Sequence, residues 1–296
     1  MAVPSSNSNL KITEIASIIL NAVLLISTIL FTTLTYKIHK RRSEVEVMLD
    51  KAKNYIRDLS VIDYIYQDII MLGPRNSGKT SVAKLWSEPA FDIKDVTLTR
   101  KWQTYSRDIL ELEEYAKEHT EFRINIKYQP RIRIKIHDYP GEDNWRTEAI
   151  RKLPDFKKSI LLLFFDVFAD SQGLHQVFEN NKYYSQLFVD TLRQHKGIGL
   201  NISKVIVVFN KADLLPSNME TEQAKEALKQ LNNDAIYRIE GQFSGILDYL
   251  VISALDNRGL ITLLGAAVSP TLPAEIKQRF DVEISKLALD QKSKVK

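Results

Sequence analysis

The stretch "GPRNSGKT" at residues 73–80 restricts the fold of this chain more than any other. It follows a short apolar run, "DIIML" at 68–72, and precedes a helix-like stretch, "SVAKLWSE" at 81–88. In that context the pattern G-x-x-x-x-G-K-[ST] predicts a strand, a glycine-rich loop and a helix, with backbone N–H groups directed at phosphate oxygens. We therefore expect an α/β domain with a phosphate-binding loop at the carboxyl edge of its sheet.

Three further apolar runs support this fold class. They are "SILLLFFDV" at 159–167, "KVIVVFN" at 204–210 and "YLVISAL" at 249–255. Longer polar, helix-like segments alternate with them, which is typical of buried parallel strands joined by crossover helices. We expect a mostly parallel sheet.

One segment has a different period. "FRINIKYQPRIRIKIHD" at 122–138 alternates apolar and polar residues on both sides of Gln129 and Pro130, which predicts an antiparallel hairpin. Its outward face has two interpretations. It is either a basic patch that binds anionic lipid or an acidic partner, or a set of charges that protects an edge strand from unwanted pairing, and we favour the second. The cations concerned are Arg123, Lys127, Arg131, Arg133 and Lys135.

The glycine-rich stretch and a second motif predict how phosphates and a metal ion would be held. Lys79 should reach the outer phosphates, and the Thr80 hydroxyl should bind Mg²⁺. In "DYPG" at 138–141, Asp138 should hold Mg²⁺ through water and the Gly141 N–H should meet the terminal phosphate. The nucleotide-contacting positions expected within and just after the stretch are Gly73, Asn76, Ser77, Gly78, Lys79, Thr80 and Ser81.

Two later motifs concern the base. "NKAD" at 210–213 directly follows a predicted strand, and a carboxylate at Asp213 can accept both the ring N–H and the exocyclic amino group of guanine, a pairing that adenine does not offer. The stem of Lys211 can cover the ring, and Asn210 can tie this loop to the phosphate loop. "SAL", residues Ser253, Ala254 and Leu255, should supply backbone donors to the guanine oxygen. The expected ligands are GTP and GDP with Mg²⁺.

An apolar segment near the N-terminus predicts a membrane anchor. Residues 15–36 contain no charged side chain, and at about 1.5 Å per residue they reach roughly 33 Å as a helix, enough to cross a bilayer core. Lys11 alone precedes the segment, whereas a cluster of four cations follows it, so the larger C-terminal part is expected on the cytoplasmic side. The cluster is Lys37, Lys40, Arg41 and Arg42.

Taken in order, "GPRNSGKT", "DYPG", "NKAD" and "SAL" resemble the motifs of the translation-factor-related class of GTPases. The resemblance covers roughly residues 64–270. It implies a P-loop NTPase of Ras-like fold, α/β with a mostly parallel sheet and one antiparallel hairpin, that switches between GTP and GDP with Mg²⁺. One predicted transmembrane helix ahead of such a domain is similar in layout to the β subunit of the signal-recognition-particle receptor.

Three residues depart from the pattern of that class, and all three bear on hydrolysis. Members that orient the attacking water often have Gln or His after the Gly of the second motif, but here Glu142 stands there; an ionised Glu repels a triphosphate and cannot donate, so turnover is expected to be slow. Arg75 replaces a common Gly and is either a built-in arginine finger or a solvent-directed side chain. Asn76 occupies a position that coordinates K⁺ in potassium-activated relatives, although a turn-forming Asn is the interpretation we favour. Lys79, Glu142 and Arg75 are the expected catalytic set.

The threonine that would close over Mg²⁺ has three candidates. Thr120 lies 18 residues ahead of Asp138, close to the spacing in Arf-like relatives, and Thr97 and Thr99 compete with it. The interval between Thr80 and Asp138 is long and predicts an extra helix near residues 105–119. That insertion is either a partner-binding element or a structural elaboration.

These features divide the chain into five parts: an N-terminal tail (1–12), a transmembrane helix (13–36), a juxtamembrane helical linker (37–63), a GTPase domain (64–270) and a C-terminal helix or tail (271–296). The absence of cysteine excludes disulfides and thiolate metal sites, and the net charge of +4 does not indicate nucleic-acid binding. We expect a single-pass, membrane-anchored GTP-binding protein that hydrolyses GTP slowly and recruits a protein partner. The alternative is a scaffold that holds nucleotide permanently.

Overall fold

The structure is a computed structural model of the chain that describes residues 17–28, 51, 60–88, 101–111, 115–119, 124–156, 158–167, 173–194, 201–215 and 220–294. The chain divides into two units, residues 1–63 with 113–129 and residues 64–112 with 130–296. The strands are β1 (Ser60–Leu72), β2 (Gln103–Glu111), β3 (Tyr115–His119), β4 (Ile124–Asp138), β5 (Ser159–Asp166), β6 (Ile202–Asn210) and β7 (Leu247–Val251). The helices of the second unit are α1 (Lys79–Ser87), α2 (Asp143–Lys152), α3 (Gly173–Gln194), α4 (Thr221–Leu231), α5 (Asn233–Phe243), α6 (Leu260–Val268) and α7 (Ala274–Lys294).

The second unit is built on a sheet with the strand order β2-β4-β1-β5-β6-β7. The pairs β1–β5, β5–β6 and β6–β7 are parallel, and β2 pairs antiparallel with β4. Helices lie between these strands along the chain, as crossover connections of parallel strands require. The unit is therefore a mixed α/β fold with a mostly parallel sheet, and this arrangement is consistent with a P-loop fold.

Two hydrophobic cores cover the two faces of this sheet. Because side chains alternate along a strand, β1 contributes Ile70 and Leu72 to one core and Ile69 and Met71 to the other. All four side chains are fully buried. This two-sided burial explains why the four apolar runs of the sequence are continuous rather than alternating, and the prediction of strands at 68–72, 159–167 and 204–210 is confirmed. The fourth strand, β7, ends at Val251, so "SAL" lies in the loop that follows it.

The predicted hairpin at 122–138 is wrong. Residues 124–138 form one continuous strand, β4, whose antiparallel partner changes along its length. In the first unit β3 pairs with it as far as Tyr115 opposite Tyr128, and in the second unit β2 pairs with it from Glu111 opposite Arg131. Pro130 lies between the β3 and β2 ladders, at a residue that neither of them pairs, so the proline that suggested a turn is accommodated in an extended strand.

The extra helix predicted near residues 105–119 is also wrong, because this stretch forms β2 and β3. Many of its side chains favour a helix, but pairing with β4 outweighs that preference. The β2–β4 register places Asp108 opposite Arg133 and Glu111 opposite Arg131, and both pairs form ion pairs. Cross-strand pairs of opposite charge stabilise a sheet, so long-range pairing outweighs the local helical preference.

The same ion pairs revise the interpretation of the basic residues of β4. Arg131 and Arg133 are neutralised by β2, and β4 has β2 on one side and β1 on the other, so over residues 131–138 it is not an edge strand. Protection of an edge is therefore wrong for this stretch, whereas Lys127 and Lys135 remain exposed. Arg123 lies outside the residues whose side chains are described.

The two ends of the chain contain helices. Residues 17–28 are helical and belong to the predicted span, with exposed apolar side chains that include Leu20 and Leu25. Among the described residues, no helix is both long enough and apolar enough to cross a bilayer. The rest of the predicted span, 13–16 and 29–36, lies outside the described residues. At the other end α7 buries Phe280 and packs Ile284 against Gly265 of α6.

Candidate functional site

Four loops of the second unit meet at one edge of the sheet. The glycine loop (residues 73–80) follows β1, segment 138–141 follows β4, segment 210–213 begins at the last residue of β6, and segment 253–255 comes two residues after the end of β7. Parallel strands bring their carboxyl ends to the same edge, which is where open α/β sheets place ligand sites. The four motifs identified in the sequence therefore lie together.

Close packing explains why the glycine loop needs a glycine directly before α1. Gly78 has a left-handed backbone with φ of 85°, and a Cβ atom added there would lie 2.0 Å from Nδ2 of Asn210. No other residue type fits such a contact without moving the neighbouring loop. Asn76 also has a left-handed φ of 64°, and its side chain is exposed, which fits the turn-forming role.

Lys79 is a buried cation at the start of α1. Its Nζ donates to the carbonyl oxygens of Gly73 and Pro74, each at 2.9 Å, and to the Ser77 hydroxyl at 3.3 Å. Burial lowers the pKa of Lys79 from 10.5 to about 8, and the nearby charge of Asp138 offsets part of that change. The glycine loop thus holds a desolvated ammonium that donates to neutral oxygens.

Thr80 and Asp138 bring two hard oxygen ligands together beside Lys79. The Thr80 hydroxyl donates to Oδ2 of Asp138 at 2.6 Å, and the Asp138 side chain is fully buried. Hydroxyl and carboxylate oxygens suit Mg²⁺, which in nucleotide sites is bound by one or two protein groups plus phosphates and water. Among the described residues, no group of three or more His, Cys, Asp or Glu side chains is arranged to hold a metal ion.

Segment 138–141 is packed directly on the glycine loop. The Tyr139 N–H donates to the Met71 carbonyl at 3.4 Å, and its ring stacks on Trp102 with centroids 5.6 Å apart. A Cβ atom added at Gly141 would lie 2.3 Å from the backbone nitrogen of Arg75. Only glycine allows this approach, so segment 138–141 lies against the glycine loop at residue 141, and contact of the Gly141 N–H with a terminal phosphate stays a prediction.

Asn210 joins three of the four loops. Its Nδ2 donates to the Ser77 carbonyl at 3.0 Å, and its Oδ1 accepts from the Ala254 N–H at 3.2 Å. The side chain is 2 % exposed, so both hydrogen bonds are shielded from water. The predicted tie between segment 210–213 and the glycine loop is confirmed, and segment 253–255 shares it.

Asp213 is aligned by a hydroxyl from segment 253–255. The Ser253 hydroxyl donates to Oδ1 of Asp213 at 2.6 Å, and Ser253 is fully buried while Asp213 is partly exposed. This leaves Asp213 a second carboxylate oxygen. Two exposed apolar side chains are near in the chain: Leu214 follows Asp213, and Leu255 ends segment 253–255. A partly exposed carboxylate oxygen can accept N–H groups from a flat heterocycle.

Lys211 is paired with a residue that the sequence analysis missed. Its Nζ donates to Oδ2 of Asp166 at 2.8 Å, and Asp166 is the last residue of β5 and the cross-strand partner of Asn210. The sequence did contain a signal for Asp166. It stands near the end of the apolar run "SILLLFFDV", as Asn210 stands at the end of "KVIVVFN", and the ends of both strands reach the same edge of the sheet.

The remaining predicted residues are less tightly placed. Glu142 directly precedes α2, and its exposed side chain makes no capping hydrogen bond. Arg75 is exposed in the glycine loop. Ser81 lies in the first turn of α1 and is partly buried. Thr120, Thr97 and Thr99 lie outside the described residues.

Comparison with models of protein families found no matching family, and comparison with curated proteins found no matching protein.

Proposed function

We propose that this chain is a guanine-nucleotide-binding protein, a P-loop NTPase of Ras-like arrangement. The observation that carries the proposal is the pair of buried hydrogen bonds of Asn210, which hold the glycine loop and segment 253–255 to one side chain at the carboxyl edge of a parallel sheet. A site that reads both a phosphate chain and a base needs its two ends at a fixed separation. Asn210 supplies that fixed link.

The choice of guanine rests on Asp213. Its carboxylate is oriented by Ser253 and is only partly exposed, so it can accept two N–H groups from the edge of a purine. Adenine presents no such pair of donors. An acceptor that nucleotide binding shields from water and leaves unmatched is costly, which makes selection by this group strong.

The phosphate end is proposed to use Lys79 and the backbone N–H groups of the glycine loop at the N-terminus of α1. Thr80 and Asp138 would hold Mg²⁺, which when bound neutralises phosphate charge. Lys79 donates to two carbonyl oxygens of the glycine loop, so its ammonium is directed into the turn that the phosphates would occupy.

Titration calorimetry of residues 64–296 with GDP, GTP, ADP and ATP tests the proposal. We expect micromolar or tighter binding of GDP and GTP and little binding of adenine nucleotides. Asp213→Asn should weaken GDP binding by roughly 100-fold, since a charged hydrogen-bond acceptor is lost, and should strengthen binding of xanthosine diphosphate, whose base presents a carbonyl to the new amide. Equal binding of ATP and GTP would contradict the proposal, as would an unchanged base preference in Asp213→Asn.

We further propose that GTP is hydrolysed slowly because Glu142 follows Gly141. The Glu142 side chain is exposed at the start of α2. Its negative charge there would repel a triphosphate, and an ionised carboxylate cannot donate a hydrogen bond to an attacking water. Arg75 could change the hydrolysis rate in either direction. Folded back onto the phosphates it would speed hydrolysis as an arginine finger, and directed to solvent it would impede hydrolysis; its exposure in the structure agrees with the second arrangement. The competing function is a scaffold that holds nucleotide without hydrolysis.

Single-turnover hydrolysis separates these two functions. The wild type should release phosphate slowly, and Glu142→Gln should be roughly fivefold faster because a like charge is removed. Glu148→Gln, on the same helix, is the matched control and should leave the rate unchanged. Release in K⁺ compared with Na⁺ tests the cation role of Asn76. No phosphate release over hours in any of these conditions would favour the scaffold.

Membrane attachment through residues 13–36 and recruitment of a protein partner are part of the same proposal. The helix at 17–28 exposes Ile18, Leu20, Val23, Leu24 and Leu25, which supports an apolar environment for this segment. Sedimentation of the full chain with vesicles, with and without residues 1–36, tests the attachment. Binding of the shortened chain as strong as that of the full chain would contradict it.

A further inference from the structure

A carboxylate at the end of β5 restrains the side chain of Lys211. Asp166 accepts from Lys211 Nζ at 2.8 Å, and the two side chains are 13 % and 25 % exposed. The ion pair is thus largely shielded from water, where a charge-assisted hydrogen bond is stronger than on the surface. The loop after β6 is held by the end of the neighbouring strand.

Asp166 is itself fixed through both of its backbone groups by one side chain of α3. Its N–H donates to Oδ1 of Asn181 at 3.3 Å, and Nδ2 of Asn181 donates to its carbonyl oxygen at 2.8 Å. Asn181 is fully buried and donates also to Oδ1 of Asn232 at 3.0 Å, whose own amide donates to the Leu228 carbonyl. A fully satisfied buried network of this kind rigidifies the residues it joins.

The backbone of Lys211 adds a second constraint. Its φ is 69°, a left-handed conformation that a residue with a side chain adopts only when the surrounding structure enforces it. A free lysine side chain has rotamer entropy to lose on ordering. Here the backbone angle and the ion pair together order the four-carbon stem before any ligand binds.

We propose that Asp166, held by Asn181, is a positioning residue for nucleotide retention: it fixes the Lys211 stem as a cover over the face of the bound base. This inference rests on the proposed function. The stem contacts the ring face, whereas Asp213 reads the ring edge, so the two residues have separable effects. Asp166 sets how long a purine nucleotide stays bound, and Asp213 sets which purine is chosen.

The test measures dissociation of fluorescent GDP and of fluorescent inosine diphosphate from the full chain. Asp166→Asn keeps the shape and the backbone hydrogen bonds to Asn181 but removes the charge, and we expect roughly tenfold faster release of both nucleotides. The preference for GDP over xanthosine diphosphate should not change. Lys211→Met keeps the apolar stem but removes the ammonium, so Asp166→Asn should have no added effect in that background.

A second ion pair serves as the matched control. Lys204 of β6 and Asp248 of β7 form an ion pair, with Nζ 3.0 Å from Oδ2, and the Lys204 side chain is 24 % exposed, against 25 % for Lys211. Asp248→Asn should leave nucleotide release at the wild-type rate. If the wild type binds no guanine nucleotide, the proposed function fails and no release rate exists to compare. If the wild type holds GDP but Asp166→Asn releases it at the wild-type rate, the positioning role is overturned. It is also overturned if Asp166→Asn accelerates release in the Lys211→Met background as much as it does with Lys211 present.

Discussion

The phosphate end and the base end of the proposed site hold their charges in different ways. At the phosphate end, the buried ammonium of Lys79 donates to two carbonyl oxygens and a hydroxyl. At the base end, Lys211 pairs with the Asp166 carboxylate and Asp213 accepts a hydrogen bond from Ser253. The first end holds a buried ammonium whose hydrogen-bond acceptors are neutral, whereas at the second end the Lys211 ammonium has a carboxylate partner and Asp213 is partly exposed.

The difference has an energetic consequence for the protein without nucleotide. A change in the pKa of Lys79 from 10.5 to about 8 corresponds to about 3 kcal/mol lost from folding stability at pH 7. Between these two pH values the unfolded chain binds more protons than the folded one, so the loss is fully present below pH 8 and disappears as the pH approaches 10.5. A phosphate beside Lys79 would remove this cost. The phosphate end should therefore supply most of the affinity, and the base end most of the selectivity.

The largest expected effect comes from removing the buried charge. Lys79→Met should weaken GDP binding by roughly 1,000-fold, since a charge-assisted contact in a shielded site is lost. Without nucleotide, its stability should exceed that of the wild type more at pH 7 than at pH 10, because only the wild type carries the cost of the buried ammonium. Calorimetry and denaturant unfolding at the two pH values measure both effects. Lys84→Met, on the same helix, is the control, and a comparable loss of binding in that variant would contradict the assignment.

Breaking the link between the two ends comes next. Asn210→Ala removes the hydrogen bonds to the Ser77 carbonyl and the Ala254 N–H, and should destabilise the protein by about 2 kcal/mol and weaken GDP binding by roughly 30-fold. Thermal unfolding and calorimetry check these values. Asn144→Ala, exposed on α2, should change neither quantity. A loss of stability with GDP affinity intact would show that the two ends bind independently of their link.

The smallest effect, up to about tenfold between pH 8 and pH 9, is the dependence of binding on pH. Below pH 8 Lys79 is already charged, so GDP affinity should not vary with its titration. Above pH 8 binding must also take up a proton, and affinity should fall by up to about tenfold per pH unit. Lys79→Arg, which stays charged, should bind with little change across pH 8–9, below the pH at which the guanine ring N–H itself is lost. If the affinity of the wild type for GDP were as independent of pH as that of the arginine variant, Lys79 would be charged throughout this pH range. That result would contradict a lowered pKa of Lys79 and the energetic cost assigned to the phosphate end.

The site was more predictable than the fold around it. Asn210, Asp213 and Lys79 were identified because each follows an apolar run or a glycine pattern within a few residues, and local chain order suffices to place it at a strand end. Asp166 was missed because a single carboxylate after a strand has no motif, and Asn181 because a buried asparagine in the middle of a helix carries no sequence signal.

Segment 103–138 shows why the rest could not be predicted. The alternation in β4 was recognised, but Pro130 suggested a turn, and the helix-favouring residues of β2 and β3 suggested a helix. Both errors concern which strands pair. β2 pairs with β4 between residues 20 to 35 positions apart, a register that no local pattern contains, whereas β3 pairs with β4 between residues 5 to 13 positions apart.

The order of residues by itself determined the fold class, the strands of the parallel sheet and the four loops at its edge, because these depend on apolar runs and glycine positions that act locally. Only the tertiary structure decided that β4 is continuous, that β2 neutralises its arginines and that Asp166 restrains Lys211. Those outcomes arise from cross-strand pairing and buried hydrogen bonds between distant segments, whose free energies no local pattern contains.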